Sequence, residues 1–106
     1  MPKYLLQVTY TGEGARGVQK DGGVKRRNSA QALVESVGGK LDGFYFAFGE
    51  CDVFAIADMP DNVSAAAAGL TLAGSGVVTC RTTVLITPEE MDQAVKKSPK
   101  YSAPGQ

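Results

Sequence analysis

GGKLDGFYFAFGECDVFAIADMPD, residues 38–61, is the stretch that decides the fold. From Lys40 to Gly49 large and small side chains alternate with the period of two that a strand requires. Phe44, Phe46 and Phe48 fall on one side, and Leu41, Tyr45 and Ala47 on the other. Both sides are largely apolar, so the strand is expected to be covered on both faces. Gly49-Glu50 opens a turn, and Cys51–Asp58 supplies a second strand, making a hairpin. Met59-Pro60-Asp61 then breaks the chain and leaves Asp61 or Asn62 to cap a helix.

Upstream of the hairpin, Ala30, Leu33, Val34 and Val37 recur at helical spacing, and Gly38-Gly39 ends a helix spanning Val24–Val37. The five glycines between Thr11 and Gly23 leave room for a short helix near Ala15–Lys20. They match neither the dinucleotide-binding nor the P-loop pattern. Lys3–Tyr10 reads as the first strand, with Tyr4, Leu6, Val8 and Tyr10 on one face. Downstream, an Ala-, Gly- and Leu-rich helix runs to about Ala73, and Val77–Ile86 is the fourth strand. Thr87-Pro88-Glu89-Glu90 joins an N-cap threonine, a first-turn proline and a capping-box glutamate. The helix that follows should run to about Lys97 with Met91, Ala94 and Val95 facing inward, leaving residues 98–106 as a loose polar tail.

The element order is β-α-β-β-α-β plus a C-terminal helix: one α+β domain, residues 1–97, in the split βαβ or ferredoxin-like arrangement. A four-stranded antiparallel sheet with helices on one face leaves the other face bare. Either the three phenylalanines or Gly43, Tyr45 and Ala47 must look out there, and neither set suits water. The expectation is a homodimer in which two sheets pack face to face as a closed α+β barrel.

The composition of the 106 residues excludes several function classes. Eleven basic and eleven acidic side chains cancel, which argues against nucleic acid as the partner. No apolar run approaches a membrane span. No secretory signal opens the chain, so a cytoplasmic location is expected. Without histidine, and with only Cys51 and Cys80 in no ligand spacing, neither a metal nor another cofactor is expected. The zero sum hides an uneven distribution. Residues 1–40 hold seven basic and three acidic groups, residues 41–95 hold Arg81 against eight acids, and the tail adds three lysines.

Gly38 to Asp61, with the Tyr4–Tyr10 strand and Thr82-Thr83-Val84-Leu85-Ile86-Thr87-Pro88-Glu89-Glu90, resembles the GYD domain family over about residues 3–97. The resemblance implies a bacterial, ferredoxin-like protein of the dimeric α+β barrel type with no established activity. Gly49 and Asp52 match the Gly/Tyr/Asp signature, and Cys51 stands where its tyrosine is expected.

Four residues are candidates for binding a small molecule. With Ala30 at the centre of the buried helix face, Arg26 lies about 40° away and Arg27 about 60° on the other side. A guanidinium beside a core-facing stripe suits a carboxylate or phosphate. Arg81 joins Gln7, Thr9, Thr79 and Thr83 on the polar faces of adjacent first and fourth strands, directed at the dimer interface. Tyr45 offers a phenol and Asp52 a carboxylate at the hairpin. Each has a purely structural alternative: helix-end or ion-pair contacts for Arg26, cross-strand bonds for Arg81, packing for Tyr45 and turn hydrogen bonds for Asp52. Three functions follow: a barrel binding a small anionic or aromatic molecule, a cofactor-free monooxygenase- or isomerase-like enzyme, or a structural module without a ligand. Serine hydrolysis is disfavoured because no histidine can serve as base.

Overall fold

The computed structural model describes residues 1–106. The chain forms β1 (Lys3–Tyr10), α1 (Gly12–Asp21), α2 (Gly23–Ser36), β2 (Lys40–Phe46), β3 (Val53–Asp58), α3 (Asn62–Gly74), β4 (Val78–Leu85) and α4 (Pro88–Lys96). The strands make one sheet in the order β2-β3-β1-β4, every pairing antiparallel. This is the ferredoxin-like topology that the element order requires.

Strand alternation sorts the two faces. Tyr4, Leu6 and Val8 of β1 stand in register with Ala57, Ala55 and Val53 of β3, and all six are buried beneath the helices. Val34 of α2 and Ala65 and Ala68 of α3 close on them from above. The small α3 residues let that helix sit close to the sheet. Tyr4, only 1% exposed, brings a phenol into this core, and its hydroxyl donates to Asn62 Oδ1 at 2.7 Å. The bond removes the cost of burying an unpaired hydroxyl.

The hairpin strand departs from simple alternation. Leu41 pairs with Ala57 and Gly43 with Ile56, so Asp42 is an extra residue, a β-bulge. The bulge moves Leu41 to the side of Phe44 and Phe46, beneath the helices, rather than to the side of Tyr45. Sequence alternation alone cannot register an inserted residue. The strand also stops at Phe46, where the backbone leaves the ladder, so Phe48 lies outside it and is fully exposed in the hairpin loop. On the other face the Tyr45 ring packs over Gly43, covering the bare backbone of an edge strand.

The helices have the ends their sequences encode. The Asp61 carboxylate caps α3 by accepting from Ser64 N at 2.8 Å, and that bond holds it below the usual carboxylate range. Helix α1 is longer than its glycines suggest because Thr11 caps it by accepting from Gly14 N. Gly14 is buried at the meeting of α1 with the start of β4, where a Cβ would collide with the Val77 carbonyl. Gly22, at φ 80°, ends α1 and starts α2 in a conformation costly for other residues.

The C-terminal helix overturns one expectation. Its capping box forms as read, with Thr87 and Glu90 exchanging bonds of 2.9 and 3.1 Å. Yet no residue of α4 is buried, and Met91 and Val95 are exposed rather than inward. The helix follows β4 and makes no extensive contact with any other element of the chain. The molecule is accordingly elongated, 58 × 32 × 23 Å. Its accessible surface is 7366 Å². A compact monomer of 11.1 kDa exposes about 5,700 Å². The excess, roughly 1,700 Å², measures how much surface the isolated chain leaves uncovered.

Candidate functional site

A cavity of about 330 Å³ lies on the helix side of the sheet, between α2 and α3. Leu6, Val8, Val53 and Ala55 form its floor, while Ala30 and Leu33 of α2 and Leu72 of α3 form walls. The small residues Gly17 and Ala30 leave space that larger side chains would fill. At liquid-water packing the volume corresponds to about eleven non-hydrogen atoms, the low end of the range for small-molecule sites.

Its polar groups are few. Arg26 and Ser29 contribute from α2, Tyr10 from the end of β1, Glu13 from the first turn of α1, and Thr71 and Ser75 from α3. Arg26 donates to Ser29 Oγ at 2.7 Å and stands 3.8 Å from Asp21, a long ion pair. A guanidinium has five N–H donors, so these partners leave several for a ligand. Burial pushes the Tyr10 phenol above its ordinary value; Arg26 opposes this and Asp52 adds to it. At neutral pH the phenol is thus protonated and can donate. The arrangement can hold an oxygen anion at Arg26 and an apolar body over Leu6, Val8 and Ala55.

The four candidate residues lie apart. Arg26 alone lines this cavity. Asp52 accepts from Tyr10 N at 2.8 Å, and its own N–H donates to Val8 O at 2.8 Å, tying the hairpin loop to the end of β1. Tyr45 and Arg81 lie on the uncovered face, at opposite ends of a row Tyr45–Phe54–Gln7–Arg81 that crosses all four strands. Arg81 borders a small polar hollow with Gln7, Thr9, Thr79 and Glu50. Arg27 reaches only its neighbour Asn28, at 3.4 Å.

Tyr10 is the residue that sequence reasoning passed over. Its position as the last member of the buried β1 face, beside the glycine-rich turn into α1, was the available signal. Lys3 is a second omission: its Nζ lies 2.6 Å from Asp42 and 2.9 Å from Asp58. The bulge brings Asp42 there, and the hydrogen bond with Lys3 lowers the Asp42 pKa while Asp42 raises that of Lys3. Both cysteines are free thiols, Cys51 buried and Cys80 partly so. Burial pushes the Cys80 thiol up, away from the thiolate a nucleophile needs. No three His, Cys, Asp or Glu side chains come together to hold a metal ion. No helix is long and apolar enough to cross a membrane.

The family model of the GYD domain matches residues 4–95, from the first core tyrosine to the last apolar residue of α4. The chain belongs to the GYD domain family. No curated protein matches it, and no solved structure does. This GYD domain keeps Asp52 of the hairpin signature in a structural role, and its Cys51 side chain is buried with Sγ donating to Val53 O at 3.6 Å. A thiol in that position packs as a small apolar group and leaves position 51 without a phenol.

Proposed function

We propose that this GYD domain binds a small amphipathic acid in the cleft between α2 and α3, its carboxylate at Arg26 and its apolar part over the sheet. The observation that carries the reading is the cleft itself: about 330 Å³ over an apolar floor, with a guanidinium retaining unused donors at one end. A protonated Tyr10 beside Arg26 supplies a neutral donor that suits a second carboxylate oxygen. Glu13, the other charged group lining the cleft, disfavours polyanions and leaves a monocarboxylate as the better fit. Eight- to ten-carbon acids and arylpropanoates match the volume. Isothermal titration of the protein with octanoate and with octanol tests this. Binding of octanoate at least tenfold tighter than octanol is expected; equal binding, or none of either, would refute it.

The same reading includes a homodimer formed through the uncovered sheet face. Leu5, Ile56, Phe54 and Tyr45 lie together there, and Phe54 and Tyr45 are exposed. Such a patch belongs against a partner. Sedimentation should give at least twice the 11.1 kDa chain mass, and Phe54→Asp should weaken self-association at least tenfold. A monomer at every concentration would contradict the barrel.

A further inference from the structure

The sheet face accounts for only part of the exposed surface. Four strands spaced about 4.8 Å apart and about six residues long present a planar footprint of roughly 400 Å². That is a fraction of the roughly 1,700 Å² excess carried by the isolated chain. Helix α4 is the other bare element. It is fully capped, yet it has only nine residues, too few to hold a helix in water without tertiary contacts. Its apolar residues, Met91, Ala94 and Val95, fall within about 100° of arc on one side, and none of them is buried.

The charges around that stripe are ordered along the helix. Glu89, Glu90 and Asp92 occupy its first half, while Lys96 and Lys97 close it and Lys100 follows. Met91 sits within the acidic block, and Ala94 and Val95 lie between the two blocks. Turned end over end about a point near Gln93, the segment presents acid to base and base to acid, with Met91 and Val95 meeting at the centre. A two-fold interface requires this self-complementarity, in which residue i meets j and j meets i. The same order complements the dipole of each helix, so antiparallel pairing uses charges that the isolated helix already favours.

We propose that α4 pairs antiparallel with α4 of a second copy, forming a clasp between two chains that is distinct from the sheet interface. The acidic first half of each helix lies along the basic second half of the other, and Met91 and Val95 fill the seam. The pairing rests on no property of the cleft, and it holds whether or not the sheet faces also join.

Charge reversal tests the register directly. A Glu89→Lys/Asp92→Lys variant leaves Glu90 as the only acid of α4, and Lys96→Glu/Lys97→Glu makes the helix acidic throughout; both leave the Thr87–Glu90 capping box intact. With Phe54→Asp present throughout to remove the sheet-face contact, sedimentation equilibrium should show each variant alone self-associating at least tenfold more weakly than the chain with native α4. An equimolar mixture should recover the native-α4 affinity as a heterodimer, and 0.5 M salt should weaken that recovery. In parallel, an equimolar mixture of Met91→Cys and Val95→Cys chains, each lacking Cys51 and Cys80 (both as Ser), should form a mixed intermolecular disulfide within minutes of mild oxidation. Unchanged self-association of both variants, or weakening without recovery on mixing, would overturn the clasp. The sheet-face dimer has its own readout in Phe54→Asp, so the failure of one interface is distinguishable from failure of the other.

Discussion

Replacing Ala30 by Leu puts the cleft to a test in which the sign of the stability change is informative. Ala30 lines the cavity from α2, and leucine keeps the helix propensity high, so the main effect is three added carbons projected into the space over the sheet. Each buried CH₂ contributes about 0.8 kcal/mol, an upper limit near 2.4 kcal/mol for three. Because the cleft is partly open to solvent and Ala30 is itself only partly buried, about half of this is expected, roughly 1 kcal/mol of stabilisation. In a domain of this size that raises Tm by about 4–8 °C. The same carbons occupy volume that a ligand needs, so octanoate affinity should fall at least tenfold. Urea denaturation monitored by tyrosine fluorescence, with calorimetric titration alongside, measures both effects. Were the space already filled in solution, the extra carbons would overpack the core and cost about 1–3 kcal/mol. A destabilised Ala30→Leu protein, or a stabilised one that binds octanoate as before, refutes the cleft as the binding site.

Other perturbations probe separate parts of the account. Arg26→Met should leave stability within about 0.5 kcal/mol, since its ion pair with Asp21 is long and partly exposed. It should cost octanoate binding about 1.5–3 kcal/mol, the worth of a hydrogen bond to a charged group, and leave octanol unaffected; equal loss for both would remove the anion role. Gly14→Ala forces a Cβ onto the Val77 carbonyl, which also accepts from Thr11 N at 3.0 Å. The variant should lose about 2–4 kcal/mol in urea denaturation, and a change below about 0.5 kcal/mol would mean that α1 docks elsewhere. The Lys3–Asp42 pair makes stability depend on pH at both extremes. With the Asp42 pKa lowered on folding, its contribution is complete above the ordinary carboxylate range, about 3.9, and is lost as pH falls through the lower folded value. With the Lys3 pKa raised, its contribution is complete below about 10.4 and is lost as pH climbs through the higher folded value. Lys3→Met should flatten both limbs of a Tm-versus-pH profile, and an unaltered profile would show that the pair does not persist in solution.

Most of the architecture was legible because local rules agree with one another along this chain. The hairpin's alternation, the Gly38-Gly39 stop, the Asp61 cap and the Thr87 capping box each name an element, and together they leave one topology. What escaped has specific causes. The bulge at Asp42 is set by pairing with β3, which no window of β2 alone contains, so Leu41 and Phe48 were assigned to the wrong surroundings. The exposed stripe of α4 reads as a core face because periodicity reports amphipathicity and is silent on what the apolar side meets. Arg26 was found because its angle from Ala30 can be counted on a helix wheel. Tyr10 was missed because a tyrosine that ends a buried strand face looks like packing until the helices above it are seen to stand apart. Asp52 belongs to a legible signature, but its two hydrogen bonds tie the loop to β1 and point to no ligand.

The central claim is that the space between α2 and α3 receives the apolar part of an acid. Titrating ¹⁵N-labelled protein with octanoate and following amide chemical shifts tests it most directly. The account predicts saturable shifts concentrated at Tyr10, Gly14, Ala30, Leu33 and Leu72, which surround the cleft, with residues of the uncovered face such as Ile56 and Thr83 unmoved. Shifts confined to that face, or none at millimolar octanoate, would contradict it.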